Sequence, residues 1–197
     1  MDLPKARFLT YEQVASIAEE FLSEHGAGDK IPINIEWIAE SGLKLEIIPI
    51  PGIEIALDTV GWLALNYQSI YVDQDVMLTN PSRYRFTLAH EIGHLVMHGD
   101  EFHPLSKYVQ TAEDWYKIHL EMDKWFEDQA DWFAGTMLVP EVHLLAEYRK
   151  MLSLVYNEGV DETELSEYSH SVIAGRIAKV FQVSTPVVEI RLRKLGL

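Results

Sequence analysis

The sequence predicts an α+β fold that is mostly helical, with a small antiparallel β-sheet and a helix-turn-helix-like segment at the C-terminal end. Two observations lead to this prediction. Most apolar residues recur at spacings of three and four, whereas strand-like alternation or β-branched runs are confined to residues 43–50, 60–65 and 69–73. The 197 residues, 48% of them apolar, are enough to build a packed core.

The first part of the chain predicts two helices followed by the sheet. Thr10 and Gln13 form a capping-box pattern before the first helix, and a second, shorter helix begins near Asn34. Residues 43–50 then alternate as a strand, and residues 52–58 follow as a loop or bent strand. Three residues separate the runs 60–65 and 69–73, a spacing typical of a hairpin.

The stretch RFTLAHEIGHLVMH, residues 85–98, carries an HExxH motif on a predicted buried helix. His90 and His94 lie one turn apart on the same helix face, so both imidazoles can bind one metal ion. Glu91 lies about 100° round the helix from His90, where its carboxylate can reach a water on the metal. The motif therefore predicts a hydrolytic metal site with Glu91 as the general base.

The limits of this helix are also predicted. Pro81 and Ser82 mark its start, and Gly99 marks its end, before a loop over residues 99–111. Gly93 costs about 1 kcal/mol relative to alanine inside a helix, so we expect a neighbouring backbone to pass close to it.

A hydrolytic zinc ion takes three protein ligands and leaves a fourth position for water. His98 would lie about 12 Å from His90 along the helix axis, too far to share the ion. Glu101 and His103 could fold back from the predicted loop, although polar loop residues are usually solvated. A better candidate for the third ligand lies later in the chain.

Glu127 and Asp131 share one face of a helix predicted over residues 113–138, and Asp123 extends the same acidic stripe. Like charges at this spacing cost roughly 0.2–0.5 kcal/mol per pair, and a cation opposite would remove that cost. We expect Glu127 to be the third metal ligand and Asp131 to accept the free ring N–H of a ligand histidine. The alternative is an acidic face that is merely solvated.

The helix motif, followed by E-x-x-A-D-x-F-A and a proline, resembles the ImmA/IrrE family of metallopeptidases. The resemblance extends from PINIEWIAESGLKLEII through GWLALNYQSIYVD to VFQVSTPVVEIRLRKLGL. It implies a zincin-like metallopeptidase domain with His90, His94 and Glu127 as zinc ligands and Glu91 as base. It also implies a protein substrate, commonly a helix-turn-helix repressor, extended along an edge strand beside the active-site helix. Residues 69–73 are our candidate for that edge, and an ordinary interior strand is the alternative, because periodicity does not distinguish an edge strand from a central one.

The chemistry of the ligands favours zinc, although Mn²⁺ or Fe²⁺ can occupy two histidines and one carboxylate. The chain has no cysteine, which excludes thiolate ligands and disulfides. A donor to the transition state is also expected, and the candidates are Tyr148, Tyr156, His143, Tyr168 and His170. The competing function is a metal-containing regulatory module that sequesters a repressor or antitoxin-like partner without cleaving it.

Charge and hydropathy restrict the partners. The net charge is −15, and residues 172–197 carry five basic residues against one glutamate. The acidic remainder argues against non-specific nucleic-acid binding and suits a basic protein partner. The N-terminal residues lack the apolar core of a signal peptide, and no apolar run is long enough to span a membrane. We therefore expect a cytoplasmic protein without membrane segments.

The last part of the chain predicts a helix from Pro140 and then a helix-turn-helix-like pair. Direct DNA contact is not expected, because Val187, Val188 and Ile190 occupy positions where a recognition helix needs polar side chains. We expect a metallopeptidase domain at residues 1–158, with residues 159–197 packed on it as a C-terminal helical segment.

Overall fold

The fold is that of a mostly helical α+β domain with one small sheet, as the sequence predicts. The computed structural model describes residues 3–109, 111–157 and 166–197. In these ranges the helices are α1 Tyr11–Glu24, α2 Ile35–Trp37, α3 Ile53–Leu57, α4 Gln74–Thr79, α5 Pro81–Phe102, α6 Ala112–Leu120, α7 Lys124–Leu138, α8 Glu141–Asn157, α9 Glu167–Phe181 and α10 Thr185–Lys194. A π-helical turn covers Ile38–Gly42, and a 3₁₀ turn covers His103–Lys107.

The three strands are β1 Glu46–Ile50, β2 Gly61–Leu63 and β3 Ser69–Asp73, in the order β1-β3-β2. Strands β2 and β3 form the predicted antiparallel hairpin, but β1 pairs with β3 in parallel, so the sheet is mixed. The prediction that residues 69–73 form an edge is wrong, because β3 has a partner on each side. The edges are β1 and β2, and an edge position explains why Pro49 is tolerated inside β1.

Residues 53–57 form α3 rather than the predicted loop or bent strand. The buried Asp73 helps to hold it, because its Oδ2 accepts a 3.0 Å hydrogen bond from the N–H of Glu54. The other oxygen of Asp73 caps α4 by accepting from the N–H groups of Asp75 and Val76. One carboxylate therefore stabilises two short helices that the sequence did not predict.

Two predicted helix limits are also wrong. Helix α5 continues through Gly99 to Phe102, because Gly99 keeps helical backbone geometry, and its carbonyl accepts a 2.6 Å hydrogen bond from Tyr67 Oη. The helix predicted over residues 113–138 is two helices. Asp123 lies between them and caps α7 by accepting from the N–H of Trp125, so it does not extend an acidic stripe.

Helices α5 and α7 pack closely against each other through the main core. A Cβ at Gly93 would lie 3.1 Å from Phe133 Cδ1 and 3.3 Å from Phe133 Cβ. The close neighbour of Gly93 is therefore an aromatic side chain, not the backbone that the sequence analysis expected. A second apolar cluster lies around Trp62, Phe102, Trp115 and Phe126.

The C-terminal helices α9 and α10 meet at Gln182, which has a φ of 56°, and form the predicted helix-turn-helix-like pair. Ile173 and Leu192 belong to the same core cluster as the residues of α1 and α7. The predicted domain boundary at residue 158 falls outside the described residues. Among the helices that are described, none combines the length and the apolar character needed to cross a membrane.

Candidate metal centre

Three side chains from two helices converge on one point. His90 Nε2 on α5 lies 3.0 Å from His94 Nε2 and 3.2 Å from Glu127 Oε2 on α7, and His94 Nε2 lies 3.3 Å from Glu127 Oε1. Ligand atoms around a tetrahedral zinc ion with bonds of 2.0–2.1 Å lie about 3.3–3.4 Å apart. The two nitrogens and the two carboxylate oxygens are therefore spaced much as ligand atoms around one such ion, and the group could hold a metal ion.

The surroundings of these three side chains fit a cation. Oε1 of Glu127 is buried and forms no hydrogen bond within the described part of the chain. Burial lowers the pKa of His94 to about 4, so this imidazole is neutral and can offer a lone pair. Burial raises the pKa of Glu127, but the rings of His90 and His94 outweigh it and hold the pKa well below its ordinary value. Two nitrogens and one carboxylate oxygen are a donor set suited to zinc.

Asp131, one turn after Glu127 on α7, contacts the other side of His90. Its Oδ1 lies 2.9 Å from His90 Nδ1. Burial lowers the pKa of His90, whereas the carboxylates of Asp131 and Glu127 raise it well above its ordinary value. A proton on Nδ1 directed at Asp131 leaves Nε2 facing Glu127. The structure thus brings together both acidic residues that the helix periodicity placed on one face.

Glu91 lies beside this group without belonging to it. Its side chain is buried, and its Oε2 accepts a 2.7 Å hydrogen bond from the N–H of Leu63 in β2. Burial raises the pKa of Glu91 to about 7, a value suited to proton exchange near neutral pH. The carboxylate is therefore held next to the three converging side chains by the edge strand of the sheet.

The other predicted ligand candidates are not part of the group. Glu101 and His103 lie at the end of α5, and the ring of His103 lies 6.1 Å from that of Tyr67. His98 does not join His90 and His94 around the same point, in agreement with its predicted distance. Its Nδ1 instead lies 3.1 Å from Nδ1 of His94, whose other ring nitrogen faces Glu127.

A small cavity of about 60 Å³ opens onto the three side chains. Besides the HExxH residues, it is lined by Trp62 of β2 and by Trp115, Tyr116 and His119 of α6. His119 Nδ1 lies 3.7 Å from Glu127 Oε1. Neither Tyr116 nor His119 is indicated by the sequence, since nothing in the local spacing of α6 shows that this helix borders the same cavity as the motif helix.

The five predicted transition-state donors are not among the described residues that line this cavity. His143 contacts the carbonyl of Gly28, Tyr148 is buried in the main core, and Tyr168 is exposed. Among the described residues that do line the cavity, Tyr116 and His119 carry a phenol O–H and an imidazole that can donate a hydrogen bond.

A larger groove of about 600 Å³ adjoins the small cavity, and Trp62 and Trp115 line both. Its wall is mainly apolar and comes from α3, β2 and the segment after the 3₁₀ turn, with Ile53, Leu57 and Leu65 among the lining residues. The groove therefore adds a mainly apolar space next to the converging polar side chains.

The geometry can be set beside known proteins. No curated protein matches the chain. Residues 67–193 match the peptidase family Peptidase_M78, which is described as the IrrE N-terminal-like domain. The matched region contains the HExxH motif of α5, the glutamate of α7 and the two C-terminal helices, and it spans well over half of the chain. The protein is therefore a member of this IrrE-like metallopeptidase family.

Proposed function

We propose that the protein is a zinc-dependent metallopeptidase that hydrolyses a peptide bond in a protein partner, a helix-turn-helix transcriptional repressor. The observation that carries this proposal is the spacing of His90, His94 and Glu127, which is close to that of ligand atoms around one tetrahedral metal ion. Glu91 lines the same cavity and is not one of the three converging groups. Membership of a metallopeptidase family supports the same reading.

Each side chain has a stated role in the proposed mechanism. His90, His94 and Glu127 would hold a zinc ion, which would act as a Lewis acid on water and on the scissile carbonyl. Glu91 would accept a proton from the attacking water and later deliver it to the leaving amine. Asp131 orients the ring of His90 by accepting its Nδ1–H.

The transition state of amide hydrolysis also places negative charge on the carbonyl oxygen, which needs a hydrogen-bond donor. Tyr116 and His119 are the proposed donors, because both line the cavity opposite the motif helix. Their phenol and imidazole groups approach from α6, whereas the metal ligands come from α5 and α7. A substrate carbonyl entering the cavity would therefore come within reach of these donors.

The proposed path of the substrate follows β2, the edge strand next to α5. The carbonyl of Val60 accepts from the N–H of Asp73 and the N–H of Ala64 donates to the carbonyl of Ser69, so the peptide groups of Gly61 and Leu63 face away from β3. Since the N–H of Leu63 donates to Glu91 and the carbonyl of Gly61 accepts from Thr59, the groups proposed to bind substrate are the N–H of Gly61 and the carbonyl of Leu63. An extended peptide can add to such an edge through main-chain hydrogen bonds. Its apolar side chains would enter the groove that begins at Trp62 and Trp115.

The choice of a repressor as partner rests on the family resemblance and on charge. The chain carries a net charge of −15, which favours encounter with a basic protein, and DNA-binding proteins are commonly basic. Capture by long-range attraction should weaken as salt is raised, because exposed charges are screened beyond about 8–10 Å at physiological ionic strength.

The test is cleavage of purified partners. Zinc-loaded wild type and Glu91→Gln are incubated with a panel of helix-turn-helix repressors from the same organism, and fragments are identified by mass spectrometry. We expect wild type to cut one repressor at a single position and Glu91→Gln to bind zinc without cutting. Cleavage by Glu91→Gln would remove this residue from the role of base. Tight binding of a repressor without cleavage by wild type would favour the sequestering module instead.

A further inference from the structure

A chain of polar contacts runs from His94 to the backbone near the N-terminus. His94 Nδ1 lies 3.1 Å from His98 Nδ1, and His98 Nε2 lies 3.0 Å from Gln129 Oε1 on α7. Gln129 Nε2 in turn donates a 2.8 Å hydrogen bond to the carbonyl oxygen of Arg7. His98 is 2% exposed and Gln129 is fully buried, so water cannot substitute for these partners.

The direction of every hydrogen bond in this series of contacts follows from the group at its far end, the carbonyl of Arg7. The carbonyl of Arg7 can only accept, so it fixes the amide of Gln129 with the nitrogen towards Arg7 and the oxygen towards His98. The amide oxygen can only accept as well, so His98 carries its proton on Nε2 and presents the lone pair of Nδ1 to His94. His94 must then carry its proton on Nδ1, because two N–H groups or two lone pairs cannot face each other at 3.1 Å.

We propose that His98 and Gln129 are positioning residues that hold His94 in the tautomer with a free lone pair on Nε2, the atom directed at the metal. This inference rests on the metal site of the proposed function. It adds to that site two residues that touch neither the ion nor the substrate. The carbonyl of Arg7 is the fixed point from which the orientation is transmitted.

The surroundings of His98 support a positioning role. The ring is held between aromatic neighbours, with centroids 5.7 Å from Phe102 and 4.9 Å from Phe126, so its plane cannot turn freely. The two ligand histidines are also oriented by different means. His90 uses the carboxylate of Asp131, which is 55% exposed, whereas buried His94 uses a neutral imidazole and a neutral amide. A carboxylate at the buried position of His98 would be costly to bury.

The test measures zinc affinity by competition with a chromophoric chelator, using full-length protein. His98→Leu and Gln129→Leu each break this series of hydrogen bonds and replace a polar side chain by an apolar one of similar size. We expect either change to weaken zinc binding by about 10- to 100-fold, the range typical of outer partners of metal ligands. His98→Asn should recover most of the affinity, because its amide oxygen can take the place of Nδ1 as acceptor. The double change His98→Leu with Gln129→Leu should lose little more than either single change, since one chain is broken in each case.

Two controls separate positioning from packing. Thr136→Val removes a buried polar group elsewhere on α7 and should leave zinc affinity unchanged. Thermal unfolding of the metal-free variants shows whether the fold is retained. Zinc affinities of His98→Leu and Gln129→Leu equal to wild type would overturn the proposal, and so would equal losses in Thr136→Val.

A spectroscopic readout tests the proton positions directly. Long-range ¹H–¹⁵N correlation spectra of the histidine rings report which nitrogen carries the proton, in metal-free and in zinc-loaded protein. We expect Nδ1–H for His94 and Nε2–H for His98, and the reverse assignment for His98 would overturn the relay. Failure of the proposed function would give a different result. Wild type would then bind no zinc, or it would bind zinc and cleave no repressor. In the second case the His98 and Gln129 variants would still lose zinc affinity.

Discussion

The N–H of Leu63 donates a 2.7 Å hydrogen bond to Oε2 of Glu91, which joins the edge strand β2 to the proposed base. The position of the carboxylate therefore depends on the position of the strand as well as on the helix that carries Glu91. The same strand is the proposed binding edge for the substrate. A shift of β2 would disturb the base and the substrate together.

Gly61→Ala tests this dependence. A Cβ at Gly61 would lie 2.5 Å from the carbonyl oxygen of Tyr71 and 2.9 Å from Thr87 Cγ2, so β2 has to move away from β3 or from α5. We expect a loss of about 2–3 kcal/mol in the free energy of unfolding. Thermal unfolding should show a lower Tm, and repressor cleavage should fall more steeply than zinc affinity.

Gly28→Ala is the matched control for this change. The added Cβ would meet only Leu22 Cβ at 3.8 Å, an ordinary contact. Its Tm and cleavage rate should stay near those of wild type. A Gly61→Ala protein with normal Tm and normal cleavage would show that β2 does not constrain Glu91.

Asp131→Asn tests the orientation of the other ligand histidine. The change removes the charged acceptor that lies 2.9 Å from His90 Nδ1, and we expect zinc affinity to fall by about 10- to 100-fold. Asp128→Asn on the same helix is the control, because Asp128 pairs with the exposed Lys124 and not with the site. Equal effects of the two changes on chelator competition would argue against a specific role for Asp131.

Asp73→Asn should reduce stability in a manner that depends on pH. Burial raises the pKa of Asp73, but hydrogen bonds from backbone N–H groups of α3 and α4 outweigh it and lower the pKa below the ordinary value of 3.8. The stabilisation by the ionised carboxylate is therefore complete above pH 3.8 and is lost as the pH falls through the lower pKa of the folded state.

At neutral pH we expect Asp73→Asn to cost about 1–2 kcal/mol in the free energy of unfolding. The difference from wild type should shrink in denaturant titrations as the pH is lowered past 3.8. The exposed Asp75→Asn serves as the control and should change stability much less at either pH. A difference between Asp73→Asn and wild type that does not vary with pH would contradict the role assigned to the carboxylate.

Removal of metal should destabilise the protein. An ion that binds only the folded state adds about 2.7 kcal/mol to the free energy of unfolding when its free concentration is 100 times Kd. Adding a chelator to zinc-loaded wild type should therefore lower the Tm, and restoring zinc should reverse the change. Glu127→Ala should show no response to either treatment, since it lacks the ligand from α7.

The parts of the site that the sequence could predict are those set by local geometry. His90, Glu91 and His94 follow from the helical period, and Glu127 and Asp131 share a face for the same reason. The contact between Gln129 and Arg7 joins residues 122 positions apart, and no local pattern indicates it. The order of the strands was missed because periodicity cannot distinguish a central strand from an edge.

The errors in the fold also have local physical causes. Gly99 was expected to end α5, but a glycine ends a helix only where the backbone turns out of helical geometry, and here Tyr67 secures the carbonyl within the helix. Helix α3 is not predicted from the sequence, because the hydrogen bond that stabilises its first turn comes from Asp73 at the end of β3. In both cases a contact distant in sequence outweighed the local preference.

The three converging side chains come from two helices, α5 and α7, that pack against each other. The chain contains no cysteine, so a disulfide cannot link α5 to α7. An ion held by His90, His94 and Glu127 would be a cross-link between them whose ligands are not oxidised or reduced under cellular conditions. The strength of that link would follow the supply of metal and the pH, and it would be unaffected by a change of redox environment.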